Sequence, residues 1–149
     1  MKPKRTLILL ADDRSARFLL NDGPGKGLRE LASITTVDFD DTSIAYEDRP
    51  GRQTGGPGGV ARHGFDAHET ADELGRERFA RHVAASLDRQ WAKAAPDQLI
   101  VAAPPKMLGV LRSRVGSKLA EALLADLAKN LTGIPLNDLA VHFQDIVRL

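Results

Sequence analysis

The sequence predicts a single α/β domain, a mixed β-sheet of about five strands with helices packed on its faces. Three observations carry this. Thr6–Ala11 and 98–103 are continuous apolar runs of strand length, the pattern of strands covered on both sides. Phe79, Val83, Leu87 and Trp91 recur at four-residue spacing, the mark of a helix with one buried stripe. The element order then mixes a run of strands with alternating helix and strand, which places helices against a sheet.

In chain order, the first strand is closed by Asp12-Asp13-Arg14. A second runs over 16–20 and ends in the turn chemistry of Asn21-Asp22-Gly23-Pro24-Gly25. A third covers 28–37, with β-branched Thr35, Thr36 and Val37 at its end. Short turns between them predict an antiparallel meander. Residues 38–69 have no period and hold Pro50, Gly51, Gly55, Gly56, Pro57, Gly58, Gly59 and Gly64. A loop of that length in a compact domain is a candidate working part.

Thr70-Ala71-Asp72-Glu73 reads as a capping box opening the long helix, which Pro96 stops. Arg76, Arg78, Arg81, Arg89 and Lys93 fall mostly off its apolar stripe. The strand at 98–103 ends at Pro104-Pro105, and 107–121 reads as one helix with Leu108, Leu111, Val115 and Leu119 on one side. Residues 122–131 are ambiguous: their alanines and leucines favour helix, while Leu123, Ala125 and Leu127 alternate as in a strand. After Gly133-Ile134-Pro135, residues 136–147 read as a terminal helix burying Leu139, Phe143 and Ile146.

The 149 residues fit one domain spanning 1–149, with no internal repeat. Net charge is +1, so any polyanion must be met by a local patch and not by a global field. There are no cysteines, which removes disulfides, thiol catalysis and cysteine zinc sites. The apolar run at 7–11 is shorter than a secretory core, and no stretch reaches the roughly 20 apolar residues of a membrane span. A cytoplasmic location without membrane insertion is expected.

Candidate chemistry is sparse. Asp12 and Asp13 stand at a strand end where carboxylates can hold magnesium, with Asp38, Asp40 and Asp41 as partners; the simpler role is to cap the turn's amides. His63, His68, His82 and His142 include no His-x-x-x-His pair, so zincin spacing is absent. No Gly-x-Ser-x-Gly elbow occurs, and 54–59 lacks the Gly-Lys-Ser/Thr ending of a phosphate loop. No cofactor is implied. The stretch 49–64 carries Arg49, Arg52 and Arg62 and no acid until Asp66. Its glycines allow close backbone approach and its arginines suit phosphate oxygens, so it is a candidate contact loop for RNA. It holds no aromatic residue from 50 to 64, so base stacking is not indicated there.

Several segments together resemble a known family. Leu10-Ala11-Asp12-Asp13-Arg14-Ser15-Ala16-Arg17-Phe18 is similar to the opening Ala-Asp-x-x-x-Ala-Arg pattern of the bacterial family called "protein required for attachment to host cells". Ala103-Pro104-Pro105-Lys106-Met107-Leu108-Gly109-Val110-Leu111-Arg112 resembles its Ala-Pro-x-x-x-Leu-Gly-x-Leu-Arg signature. Asp48-Arg49-Pro50-Gly51-Arg52 and Asn130-Leu131-Thr132-Gly133-Ile134-Pro135-Leu136 also fit, in order along the chain.

The resemblance implies a relation to the middle domain of archaeal and eukaryotic peptide-chain release factors, with a ribonuclease H-like fold. It makes about 123–131 a strand. Release factors carry Gly-Gly-Gln in a loop before a long helix; here Gly55-Gly56-Pro57 stands in that place and Gln53 precedes the glycine pair. Leu108 and Leu111 are expected to pack on the sheet, with Gly109 allowing close approach. The leading expectation is a non-catalytic binding module contacting ribosome, tRNA or a protein partner through Arg49, Arg52, Gln53, Gly55, Gly56 and Arg62. The alternatives are an indirect role in bacterial attachment to host cells, and a metal-dependent hydrolase using Asp12 or Asp13.

Overall fold

The computed structural model describes residues 3–39 and 64–149, with the side chains of 64–69 left aside. Five strands form one sheet in the order β3-β2-β1-β4-β5. They are β1 (Thr6–Ala11), β2 (Ser15–Asn21), β3 (Arg29–Thr35), β4 (Gln98–Ala102) and β5 (Leu123–Leu127). The first three form the expected antiparallel meander, and β1–β4 and β4–β5 pair in parallel. Among the described residues three helices join them: α1 (Gly64–Ala94), α2 (Pro105–Arg114) and α3 (Ser117–Ala122).

The apolar runs explain the layering. Every residue of β1 is buried, because alternate side chains enter separate cores. Leu7 and Leu9 join Phe79, Val83 and Leu87 of α1 and Met107, Leu108 and Leu111 of α2 on one face. Ile8 and Leu10 join Leu131, Leu139 and Phe143 on the other. Both faces of the central strands are covered, as their lack of polar alternation requires. The β2–β3 turn uses Gly23, Gly25 and Gly27 at positive φ, where side chains are strained. Asn21, fully buried, closes it by donating to the Gly23 and Gly27 carbonyls at 3.0 and 2.7 Å.

The ambiguous segment resolves as strand. Register pairs Leu99 with Leu123 and Ile100, Val101 and Ala102 with Ala125, Asp126 and Leu127, so the ladder outweighs local helix propensity. The strand is shorter than the 123–131 expected.

Four expectations are corrected. Thr70 does not open the long helix, which starts at Gly64; Thr70 lies in its interior, and its capping pattern is overridden by propagation from the preceding turn. The 107–121 helix is two helices, broken where Val115 turns extended (φ −78°, ψ 132°) before Gly116. The C-terminal helix over 136–147 is replaced by short 3-10 turns at Leu136–Asp138 and Ala140–His142. Leu136, Leu139, Phe143 and Ile146 still cover the sheet, at steps of three, four and three. Gly109 faces open space, since a Cβ there would meet nothing within 4 Å, so it mediates no close approach.

Candidate functional site

Three of the four resembling motifs, 10–18, 103–112 and 130–136, meet at the C-terminal ends of β1 and β4, the edge where parallel strands leave room for a ligand; the fourth, 48–52, lies outside the described residues. Asp12 builds the turn between β1 and β2. Its Oδ1 accepts from Arg14 N at 2.9 Å, Ser15 N at 2.7 Å and Ser15 Oγ at 3.1 Å. Its own amide donates to the Ser15 carbonyl at 2.9 Å. This is the Asx-type turn chemistry of a short acidic side chain.

The other oxygen reaches across the chain. Asp12 Oδ2 lies 2.8 Å from Thr132 Oγ1 and 3.3 Å from Asn130 Nδ2. Asn130 Oδ1 accepts from Thr132 N at 3.0 Å, which shapes that loop locally. Arg17 of β2 holds the same loop: one guanidinium nitrogen donates to the carbonyls of Thr132 and Ile134 at 3.1 and 2.6 Å. Burial pushes the Asp12 carboxyl up, but hydrogen bonds from Arg14 N, Thr132 Oγ1, Ser15 N and Ser15 Oγ together outweigh it. The group is held below the usual carboxylate value.

Asp13 points to α1. Arg76 Nε donates to both its carboxylate oxygens, at 3.1 and 3.2 Å. Asp12, Asp13, Arg14, Arg76, Lys106 and Asn130 line an open cleft of about 590 Å³ against Pro104, Pro105 and Met107. The segment preceding residue 40 leaves from this end of the sheet. Thr36 N donates to the Arg14 carbonyl at 3.0 Å, and Phe39 stacks on His82 at 3.8 Å and meets Phe79 edge-on.

Of the expected site residues, the structure brings Asp12 and Asp13 to this cleft. Arg49, Arg52, Gln53, Gly55, Gly56 and Arg62 lie outside the described residues, as do Asp40, Asp41 and His63. Asp38 instead accepts from Thr35 N at 2.8 Å, capping the turn after β3. Among the described residues no group of three or more His, Cys, Asp or Glu is placed to hold a metal ion. Arg76, Asn130 and Thr132 were not expected at the site. Their partners are 63, 118 and 120 positions away in sequence, a separation no local spacing signals.

Comparison with known proteins agrees with the motifs. The model of the family described as "Protein required for attachment to host cells" matches residues 7–143. No curated protein matches the chain. Among solved structures, the chain is similar to that described as "Crystal structure of archaeal translation termination factor, aRF1", with a TM-score of 0.51 and 14% identity. The match covers 97% of this chain and 35% of that one, so the likeness is one of fold over about a third of the factor. Among the described residues no helix is long and apolar enough to cross a membrane. The chain thus belongs to the family of proteins required for attachment to host cells.

Proposed function

We propose that this chain is a non-catalytic binding module, which meets ribosome, tRNA or a protein partner through the stretch 49–64. The observation that carries this is the state of the two carboxylates. Asp12 Oδ1 accepts from three turn donors, and Asp12 Oδ2 faces Thr132 and Asn130. Asp13 is ion-paired with Arg76. A cation or an attacking water would have to displace these donors from charged oxygens they already satisfy. The cleft is built to hold the turn, β2 and the 130–136 loop in register, which is a scaffold's task.

The likeness to a translation termination factor supports a translation-related partner, and the order β3-β2-β1-β4-β5 supports the ribonuclease H-like label. Gly55-Gly56-Pro57 lacks the glutamine of Gly-Gly-Gln, which supports contact without hydrolysis. The test is peptide release from stalled ribosomes loaded with radiolabelled peptidyl-tRNA. No release above buffer is expected. Release that disappears in Gly56→Ala would overturn the non-catalytic reading.

A second reading rests on the family match over 7–143: an indirect role in bacterial attachment to host cells, exercised from the cytoplasm. Surface labelling of intact cells checks it, and labelled protein on the outer surface would contradict the cytoplasmic part. The hydrolase reading using Asp12 or Asp13 requires magnesium- or manganese-dependent activity that vanishes in Asp12→Asn. Titration calorimetry with either metal is expected to give no binding heat.

A further inference from the structure

Of the eleven described arginines six are ion-paired, and the five that are not are Arg14, Arg148 and three on α1. Arg5, Arg17, Arg29, Arg76, Arg112 and Arg114 each pair with a carboxylate. Arg78, Arg81 and Arg89 of α1 form no ion pair among the described residues, and neither does Lys93; Arg89 is engaged only by Ser86 Oγ, within its own helix. These four share one side of α1. On a helix of about 3.6 residues per turn, Arg78, Arg81, Ala85, Arg89, Ala92 and Lys93 fall within about a third of the circumference. That side lies away from buried Phe79, Val83 and Leu87.

Arg81, Ala85, Arg89, Ala92 and Lys93 are exposed, and Arg78 is half-buried. No acidic residue lies within the arc. Glu77 and Asp88 border one margin, and Glu77 is committed to Arg114 at 2.7 Å. His82 stands on the same side, its ring covered by Phe39. The result is a straight row of unneutralised cations about 22 Å long at 1.5 Å per residue. On a chain of net charge +1, this row is a local concentration of positive charge.

We infer that the outer face of α1 binds the phosphodiester backbone of a nucleic acid. Guanidinium groups match phosphate oxygens in planar, two-point geometry, and three of the four cations are arginines. The methyl groups of Ala85 and Ala92 leave a strand room to approach between them. The arc offers no uncovered aromatic ring and no amide side chain, so contact is to phosphate and not to base edges, and binding is independent of sequence. The inference rests on residues of α1 alone.

The test is fluorescence anisotropy of the full chain with labelled 20-nucleotide single-stranded RNA, the same DNA sequence, and the duplex of each, across a salt series. A labelled polyglutamate peptide tests an acidic protein partner. Four phosphate contacts give a slope of log K against log salt of roughly −3 for a single strand. Arg81→Gln/Arg89→Gln is expected to weaken oligonucleotide binding on the order of tenfold near 50 mM salt and to halve that slope. Arg81→Lys/Arg89→Lys should retain most of the binding. Arg148→Gln, which removes one charge elsewhere, should retain it fully, and so should Arg49→Ala/Arg52→Ala. Unchanged melting temperatures would show that the helix is intact. The inference is overturned if no oligonucleotide binds, if the double glutamine variant binds as tightly as the parent, or if polyglutamate binds more tightly than any oligonucleotide.

Discussion

Thr132 places its hydroxyl oxygen 2.8 Å from Asp12 Oδ2, joining the turn after β1 to a loop 120 residues later. The same Asp12 carboxylate holds three donors of its own turn on Oδ1, so one side chain closes a local turn and a long-range contact together. Asp12→Ala should therefore destabilise the chain by about 2–3 kcal/mol, since several hydrogen bonds to a charged group are lost at once. Thr132→Val removes one of them and should cost about 1 kcal/mol. Urea denaturation measures both, and equal effects would mean that the long-range bond dominates.

Acid should weaken the fold through the same group. The folded Asp12 carboxyl titrates below its unfolded value, so its contribution is present above the unfolded pKa of about 3.9 and is lost as pH falls through the lower folded value. Asp22, lowered first by its hydrogen bond from Arg29 and also by Arg5, acts in the same direction, with little weight because the group is solvated. Melting temperature should hold steady from pH 7 to about 5 and fall below about 4, and Asp12→Asn should flatten that fall. Thermal melts across this range give the comparison.

The C-terminal turns cover the second face of the sheet. Phe143 is fully buried there against Ile8, Leu10 and Ile100, while Val141 is 58% exposed. Phe143→Ala should cost about 3–5 kcal/mol, and Val141→Ala within about 0.5 kcal/mol of nothing. A small effect at Phe143 would show that the 136–147 segment is not part of the cooperative unit.

Asp13 and Arg76 should couple weakly. Both oxygens of Asp13 face Arg76 Nε, but the Asp13 side chain is 44% exposed, so solvent screens the pair. A double-mutant cycle with alanine should give a coupling of under about 1 kcal/mol.

The meander, the buried parallel strands and the stripe of α1 were legible because each is written in local periodicity. Leu7 to Leu10 have no polar alternation, and Phe79, Val83 and Leu87 repeat at a helical interval. The fifth strand was legible only in part, since Ala122 to Leu127 suit a helix by propensity while alternating as a strand, and the ladder with β4 decides between them. The break at Val115 and Gly116 and the 3-10 turns beyond Pro135 depend on where the sheet needs its cover, which propensity does not encode. At the site, Asp12 was readable as a turn former. Its bond to Thr132 and the pairing of Asp13 with Arg76 were not, because they arise from tertiary closure.

Binding by the 49–64 stretch is tested most directly by co-sedimentation with ribosomes at low salt, in a parent chain that carries Arg81→Gln/Arg89→Gln so that the α1 face does not contribute, beside the same parent with Arg49→Ala/Arg52→Ala as the double variant. A binding module predicts that the parent chain pellets with ribosomes, that the pelleted fraction drops several-fold in the double variant, and that it falls steeply as salt is raised. A chain that stays in the supernatant at low salt, or a double variant that pellets as fully as the parent, would contradict it.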